Sequence, residues 1–185
     1  MNKTDVIALY AGPGAGKSTT ATGVFSLLKM HGVNCEYTSE YAKDKAWDET
    51  LMVCYNPYEI CVEQYQRQFR LMCKVDVIIT DSPLLLQAAY NDEKEFHDLA
   101  VHLFKKFNNY NYILKRKKEF NPKGRVHNLE EAVKLDKKMY ELLDTYGEEY
   151  EELIGDYSAV NYIVNVTLKR LGKEQRYFID GVSSN

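Results

Sequence analysis

Hydrophobic residues along this chain alternate between short runs, typical of buried strands, and longer segments with helical spacing. The run Val6–Tyr10 predicts a first strand. After it, Val24, Leu27 and Leu28 recur at the spacing of one helix face, and this helix is expected to end near His31-Gly32. Further strands are predicted over residues 33–38, 75–80 and 110–115, with a short fifth strand over 150–154.

Amphipathic segments separate these strands. A helix is predicted to begin at Asn56-Pro57, with asparagine as its cap and proline in its first turn, and its expected buried face comprises Cys61, Tyr65, Phe69 and Met72. Residues 93–107 have the clearest apolar face, formed by Phe96, Leu99, Ala100, Leu103, Phe104 and Phe107. Other helices are predicted from Ser82-Pro83, from about 128 to 143 and over 157–171. Strands that alternate with helices predict an α/β fold, a doubly wound parallel sheet of about five strands.

Length, cysteine content and charge limit the possible domain organisation, location and partners of the protein. The 185 residues fit one domain over 1–171 with a tail over 172–185, and no membrane span or cleavable signal is apparent, so a cytoplasmic location is expected. Cys35, Cys54, Cys61 and Cys73 lack the spacing of metal sites, and reduced thiols are expected. A net charge of −3 argues against a broad electrostatic grip on nucleic acid but allows a local basic groove, which residues 115–125 could supply.

One segment carries specific chemistry. Ala11-Gly12-Pro13-Gly14-Ala15-Gly16-Lys17-Ser18-Thr19 matches the pattern G-x-x-x-x-G-K-[ST], with alanine in place of the first glycine. It stands between a predicted strand and a predicted helix, which is the context that such a phosphate-binding loop needs. Its backbone N–H groups and the helix N-terminus would bind triphosphate oxygens, Lys17 would reach the β- and γ-phosphates, and Ser18 would ligate Mg²⁺. The sequence therefore predicts binding of ATP and Mg²⁺.

Asp81 follows the strand 75–80 in the manner of a Walker B aspartate, and it would complete the magnesium site begun by Ser18. An aspartate that only caps the next helix is the structural alternative. Ser82-Pro83 follows, whereas motor ATPases generally place a glutamate there and guanine-nucleotide switches place Asp-x-x-Gly. The string Asn2-Lys3-Thr4-Asp5 precedes the phosphate loop and cannot form a guanine pocket. These features favour a kinase over a motor or a switch.

Further charged residues fall at the same predicted sheet edge. Glu40 follows the second strand and is a candidate base or orienting group for an acceptor hydroxyl, or else a structural ion-pair partner. Gln64 and Arg67 lie one turn apart on the helix that begins at Asn56-Pro57, where they could bind the acceptor or be surface polar residues. Arg116 and Arg125 belong to a basic segment, about 115–127, which is either a lid over the phosphates or a solvated loop.

Four segments together resemble small P-loop kinases of bacteriophages, in a group similar to thymidylate kinases and ribosylnicotinamide kinases. They are the phosphate loop, Ser39-Glu40-Tyr41-Ala42, Asp81-Ser82-Pro83-Leu84-Leu85 and Asn121-Pro122-Lys123-Gly124-Arg125. Within the group the chain most resembles the 5-hydroxymethyluracil DNA kinases, which phosphorylate a modified base in viral DNA. The resemblance implies that Lys17 and the loop bind ATP, that Ser18 and Asp81 hold magnesium, that Glu40 assists the acceptor, and that Arg116 and Arg125 stabilise the transition state.

The acceptor stays open at this point. A hydroxymethyl group in duplex DNA is the most specific expectation, although an acidic chain is unexpected for a protein that binds DNA phosphates. A free nucleoside, a nucleotide or ribosylnicotinamide is the alternative acceptor. An NTP-hydrolysing switch or assembly ATPase is the alternative from a different class of protein. The oligomeric state is not predicted.

Overall fold

The computed structural model describes residues 3–48, 56–117 and 129–173. Within these ranges the strands form one parallel sheet in the order β2-β3-β1-β4-β5. Their bounds are Asp5–Tyr10 (β1), Cys35–Thr38 (β2), Val77–Thr80 (β3), Asn108–Lys115 (β4) and Tyr150–Ile154 (β5). The predicted α/β fold with a five-stranded parallel sheet is confirmed.

Helices connect the strands and cover both faces of the sheet. Their bounds are Lys17–Met30 (α1), Tyr41–Trp47 (α2), Pro57–Phe69 (α3), Lys94–Phe104 (α4), Leu129–Thr145 (α5) and Tyr157–Arg170 (α6), with a 3-10 helix over Leu85–Tyr90. No helix of the described residues is long and apolar enough to cross a membrane.

The central strand β1 divides the core into two layers because its side chains alternate between the sheet faces. Val6, Ala8 and Tyr10 pack with the 3-10 helix, α4 and α5. Ile7 and Leu9 pack on the other face, with α1 and α6. Since β1 is the middle strand of the five, the phosphate loop begins at the centre of the row formed by the carboxyl ends of the strands.

The predicted buried face of α3 is wrong in part. Phe69 is 52% exposed and Met72 lies beyond the end of the helix. The buried positions include Ile60 and Cys61, as well as two glutamines, Gln64 and Gln68. Gln64 can occupy this face because it bonds the backbone that follows β2, at Ser39 and Tyr41.

The segment after β3 also differs from the prediction. Ser82-Pro83 does not cap an α-helix; instead residues Leu85–Tyr90 form a 3-10 helix. The Ser82 hydroxyl accepts a hydrogen bond from Gln87 Nε2 at 2.9 Å rather than bonding a helix N-terminus. Residues 82–89 are all buried, so the segment has no solvent face of the kind that an amphipathic helix needs. The shorter α2 was not predicted because none of its residues is buried.

Element bounds shift elsewhere by a few residues. Strand β3 begins at Val77, α4 ends at Phe104, and α5 continues to Thr145. Phe107 is nevertheless buried, as predicted, in the turn between α4 and β4. Most of the proposed lid (residues 118–127, including Arg125) and most of the tail (residues 174–185) lie outside the described residues, as does Cys54. Cys35 and Cys61 are buried, and burial raises the pKa of each thiol to about 11.

Candidate functional site

The loop between β1 and α1 presents the N-terminus of a helix to the sheet edge. Gly16 caps α1 with a φ of 100°, and Gly14 has a φ of 87°, a backbone region that side chains disfavour. The first turn of α1 contains no acidic residue, and Gly16 has no side chain that could bond the N–H groups of the turn. The helix N-terminus therefore keeps its positive potential and its N–H groups for an anion.

Gly12 is required for a different reason, which is close approach. A Cβ built on Gly12 would lie 2.2 Å from the carbonyl oxygen of Ala132 and 2.9 Å from Asp136 Oδ1. Helix α5 thus packs directly on the phosphate loop at this residue. Any larger side chain at position 12 would displace either the loop or the helix.

Lys17 turns back over the loop. Its Nζ donates a hydrogen bond to the Ala11 carbonyl oxygen at 2.7 Å and lies 3.4 Å from that of Gly12. Burial lowers the pKa of Lys17, and the nearby carboxylates of Glu40, Asp81 and Asp136 oppose this shift. The ammonium group is therefore influenced by three carboxylates from separate parts of the fold and by the Arg116 guanidinium.

Asp81 provides a buried carboxylate with an unused oxygen. It is 1% exposed, at the carboxyl end of β3, and its Oδ1 has no hydrogen-bond partner among the described residues. A buried carboxylate oxygen without a partner is costly, and a cation would supply the missing interaction. Burial raises the pKa of Tyr37, on the adjacent strand β2, and the negative charge of Asp81 raises it further. The phenol of Tyr37 therefore remains protonated.

The donor set fits Mg²⁺ held mainly by phosphates and water. The described residues contain no cluster of three or more His, Cys, Asp or Glu that could enclose a metal ion. Magnesium in such sites uses one or two protein oxygens and completes its octahedron with water and substrate phosphates. Asp81 and the hydroxyl of Ser18, in the first turn of α1, are the protein oxygens suited to this role.

Glu40 lies where α2 begins, near enough to Lys17 for the two charges to interact. It is the N-cap residue of α2, with φ −66° and ψ 120°, and its side chain does not cap the helix. Burial raises the pKa of its carboxyl, while the charge of Lys17 lowers it and that of Asp81 raises it further. The side chain is thus close to the same charges as the phosphate loop, and its proton affinity is higher than that of an ordinary glutamate.

Gln64 and Arg67 contact the segment around Glu40. Gln64 is completely buried and bonds the backbone of Ser39 and Tyr41, while Arg67 bonds Ser39 and forms an ion pair with Asp44. Gln64 is therefore not a surface polar residue, which was the structural alternative. Both side chains interact with the segment that contains Ser39, Tyr41 and Asp44.

Arg116 is bound to the phosphate loop and to α5. Its guanidinium donates two hydrogen bonds to Asp136 Oδ2, at 3.1 and 2.9 Å, and one to the Pro13 carbonyl oxygen at 2.6 Å. Asp136 Oδ1 accepts from the Gly12 backbone N–H at 2.6 Å. The two side chains are 14% and 24% exposed. Arg116, which was predicted to belong to the lid over about 115–127, is thus fixed at the base of the loop.

Asp136 is the site residue that sequence reasoning missed. It stands in a highly charged stretch, Lys134 to Lys138, which resembles a solvated helix surface. The helical spacing could have indicated that Asp136 faces the protein interior. Ala132, Met139 and Leu143 are buried, and Asp136 falls on the same face of the helix. A charged residue in register with an apolar face is expected to have a specific partner.

A groove of about 570 Å³ opens beside the phosphate loop, between α1 and α6. Its lining includes Thr19, Gly23, Leu27, Asp156 and Tyr157. Asp156, in this lining, pairs with Lys117 at 2.6 Å, and the ion pair joins the residues after β4 to the turn after β5. The walls of the groove are largely apolar and it is continuous with the helix N-terminus, so it suits a planar group attached to a phosphate chain.

The parallel sheet, the glycine loop that begins α1 and the buried aspartate that ends β3 together define a P-loop NTPase. The family model described as "AAA domain" matches residues 6–159, and the chain belongs to this family. No curated protein matches the chain. A solved structure described as "Crystal structure of APE1195" is similar to it, with 18% identity over 91% of this chain and 97% of that chain and a TM-score of 0.48.

Proposed function

We propose that this protein is an ATP- and Mg²⁺-dependent kinase that phosphorylates a hydroxyl group of a nucleoside-type acceptor. The observation that carries the proposal is the position of Glu40. Glu40 follows β2 and Asp81 follows β3, just beyond the paired residues Thr38 and Thr80 of the two neighbouring strands. Glu40 is partly buried, and the charges of Lys17 and Asp81 both act on its carboxyl, whose pKa is raised. Transfer to an alcohol needs a group that orients the hydroxyl and receives its proton, and a carboxylate at this place can do both.

In this proposal the acceptor oxygen attacks the γ-phosphorus. A bond forms between the two atoms, the bond from phosphorus to the β,γ-bridging oxygen breaks, and ADP leaves with that electron pair. Glu40 orients the hydroxyl and accepts its proton, while Lys17 and the N–H groups of the loop bind the phosphates. Magnesium, held by Ser18 and Asp81, would neutralise charge on the β- and γ-phosphates.

In this proposal the groove beside the phosphate loop binds the nucleotide base. A triphosphate bound at the N-terminus of α1 would direct its nucleoside toward the groove lined by Thr19 and Tyr157. The acceptor would approach from the opposite side, where Glu40 and α2 lie. The two substrates then meet at the γ-phosphate, in line with the requirement of a direct displacement.

The most specific acceptor that we propose is the hydroxymethyl group of 5-hydroxymethyluracil in phage DNA. Free nucleosides, thymidylate-like nucleotides and ribosylnicotinamide are the alternatives, and the net charge of −3 favours a small acceptor over duplex DNA. Transfer of labelled γ-phosphate to duplex DNA with and without the modified base distinguishes them. Label in modified DNA alone supports the DNA acceptor, and label only in free nucleosides or nucleotides refutes it.

Hydrolysis of NTP without an acceptor is the second candidate function, which the family description "AAA domain" favours. Against it, the residue after Asp81 is Ser82, which is buried and bonded to Gln87, so no carboxylate stands where a motor ATPase polarises water. Phosphate release that is unaffected by any acceptor would support this second function.

A further inference from the structure

Helix α3 holds the peptide groups on both sides of Glu40. Gln64 Oε1 accepts a hydrogen bond from the Tyr41 backbone N–H at 2.9 Å. Its Nε2 donates to the Ser39 carbonyl oxygen at 3.2 Å. One buried side chain therefore bonds the residue before Glu40 and the residue after it, and fixes the direction in which the Glu40 side chain leaves the backbone.

Arg67 adds a second connection to the same segment, one turn further along α3. Its guanidinium donates to the Ser39 carbonyl oxygen at 3.3 Å and to the Ser39 hydroxyl at 3.0 Å. It also pairs with Asp44 on α2 and lies 5.1 Å from the ring centre of Tyr41. The guanidinium thus spans the turn between β2 and α2.

A fully buried glutamine is costly unless both ends of its amide are bonded. Gln64 meets that condition through backbone groups that flank Glu40, and it is 0% exposed. Helix α2 has no buried residue of its own, so packing of α2 does little to fix the position of Glu40. The contacts from α3 therefore hold the start of α2 in place.

We infer that Gln64 and Arg67 are positioning residues that fix Glu40 for phosphoryl transfer, and that they do not bind the acceptor. This inference rests on the role proposed for Glu40. Positioned catalytic groups lose much of their effect when displaced by as little as 1 Å. Loss of either side chain should therefore lower the turnover number while the affinities for both substrates change little.

The test uses Gln64→Met, which keeps the length and burial of the side chain and removes both hydrogen bonds. Gln66→Met, at an exposed position of the same helix, is the matched control. We expect Gln64→Met to lower kcat by about 10-fold or more, with the KM of the acceptor and the Kd of a fluorescent ATP analogue within about 3-fold of wild type. Gln66→Met should match the wild type in all three quantities.

The Glu40→Gln background separates positioning from a general structural role. If Gln64 acts through Glu40, Gln64→Met should lower kcat no further once Glu40 is replaced. Equal effects in both backgrounds would overturn the inference, and so would a selective rise in the KM of the acceptor, which is the signature of direct binding. Arg67→Gln, at a partly exposed position, provides the same comparison if Gln64→Met does not fold.

A readout independent of activity distinguishes failure of this inference from failure of the proposed function. Absence of transfer by the wild type to any acceptor would refute the kinase, and the positioning is then decided by titrating the Glu40 carboxyl with ¹³C NMR. Gln64→Met should return the raised pKa of Glu40 toward its ordinary value, because the released side chain reaches solvent. An unchanged pKa would overturn the positioning.

Discussion

Replacement of Asp136 by alanine should destabilise the protein through the phosphate loop. The substitution leaves the N–H of the buried Gly12 without its acceptor. It leaves the Arg116 guanidinium with the Pro13 carbonyl oxygen as its remaining partner at this site. A buried donor without an acceptor and a cation without its carboxylate both raise the free energy of the folded state.

The magnitude follows from the exposure of the pair. Removing one partner of a fully buried ion pair costs about 3–5 kcal/mol, and one hydrogen bond to a charged group is worth about 1.5–3 kcal/mol. Arg116 and Asp136 retain exposures of 14% and 24%, so water compensates part of the loss. We therefore expect the free energy of unfolding to fall by about 3 kcal/mol, and Tm by about 6–12 °C for a chain of this size.

Urea denaturation of the nucleotide-free protein measures this change. Glu141→Ala removes an exposed carboxylate from the same helix and should alter the free energy of unfolding by less than about 0.5 kcal/mol. Asp136→Asn keeps an acceptor for the Gly12 N–H but loses the charge that pairs with Arg116, so its loss should be about half that of alanine. If Asp136→Ala behaved like Glu141→Ala, the proposed support of the loop by α5 would be wrong.

Three other substitutions test separate parts of the site. Gly12→Ala should cost about 1–3 kcal/mol by urea denaturation, because its Cβ would lie 2.2 Å from a backbone oxygen of α5, and an unchanged stability would contradict this packing. Glu40→Gln should stabilise the protein at pH 7 but not below about pH 4. The raised pKa of Glu40 means that the folded state binds its proton more tightly than the unfolded state, so wild-type stability falls as pH rises above the ordinary value. A stability difference that did not vary with pH would argue against that shift. Lys17→Ala should abolish binding of a fluorescent ATP analogue in a protein that still unfolds cooperatively, and retained binding would remove Lys17 from the site.

The sheet and the phosphate loop could be predicted because their signals are local. Val6–Tyr10 is a continuous apolar run, and the glycine pattern that follows it has a fixed spacing to Lys17. Asp81 could be placed at the sheet edge for the same reason, since it directly follows an apolar strand. These residues need no long-range contact to be recognised.

Residues whose roles depend on distant parts of the chain could not be predicted in the same way. Asp136 bonds Gly12 across 124 positions of sequence, and Gln64 bonds Tyr41 across 23. Both stand among charged or polar residues, which are typical of a helix surface, and the helical spacing that places Asp136 on the buried face of α5 does not name its partner. Only the packing of α5 on the loop and of α3 on the start of α2 turns these side chains inward. Arg116 was selected from the sequence as a lid residue, but the fold binds it to Asp136 and Pro13.

The most direct test of the kinase proposal measures whether the γ-phosphate of ATP is transferred to an alcohol acceptor or released to water as inorganic phosphate. The protein would be incubated with labelled ATP and Mg²⁺ in a set of separate reactions, each with one acceptor. The acceptors are duplex DNA containing 5-hydroxymethyluracil, free nucleosides, nucleotides and ribosylnicotinamide. We expect label to enter one of these acceptors, with slow release of inorganic phosphate in its absence and no transfer by Lys17→Ala. Rapid release of inorganic phosphate at a rate that no acceptor changes would contradict the kinase and identify an NTP hydrolase.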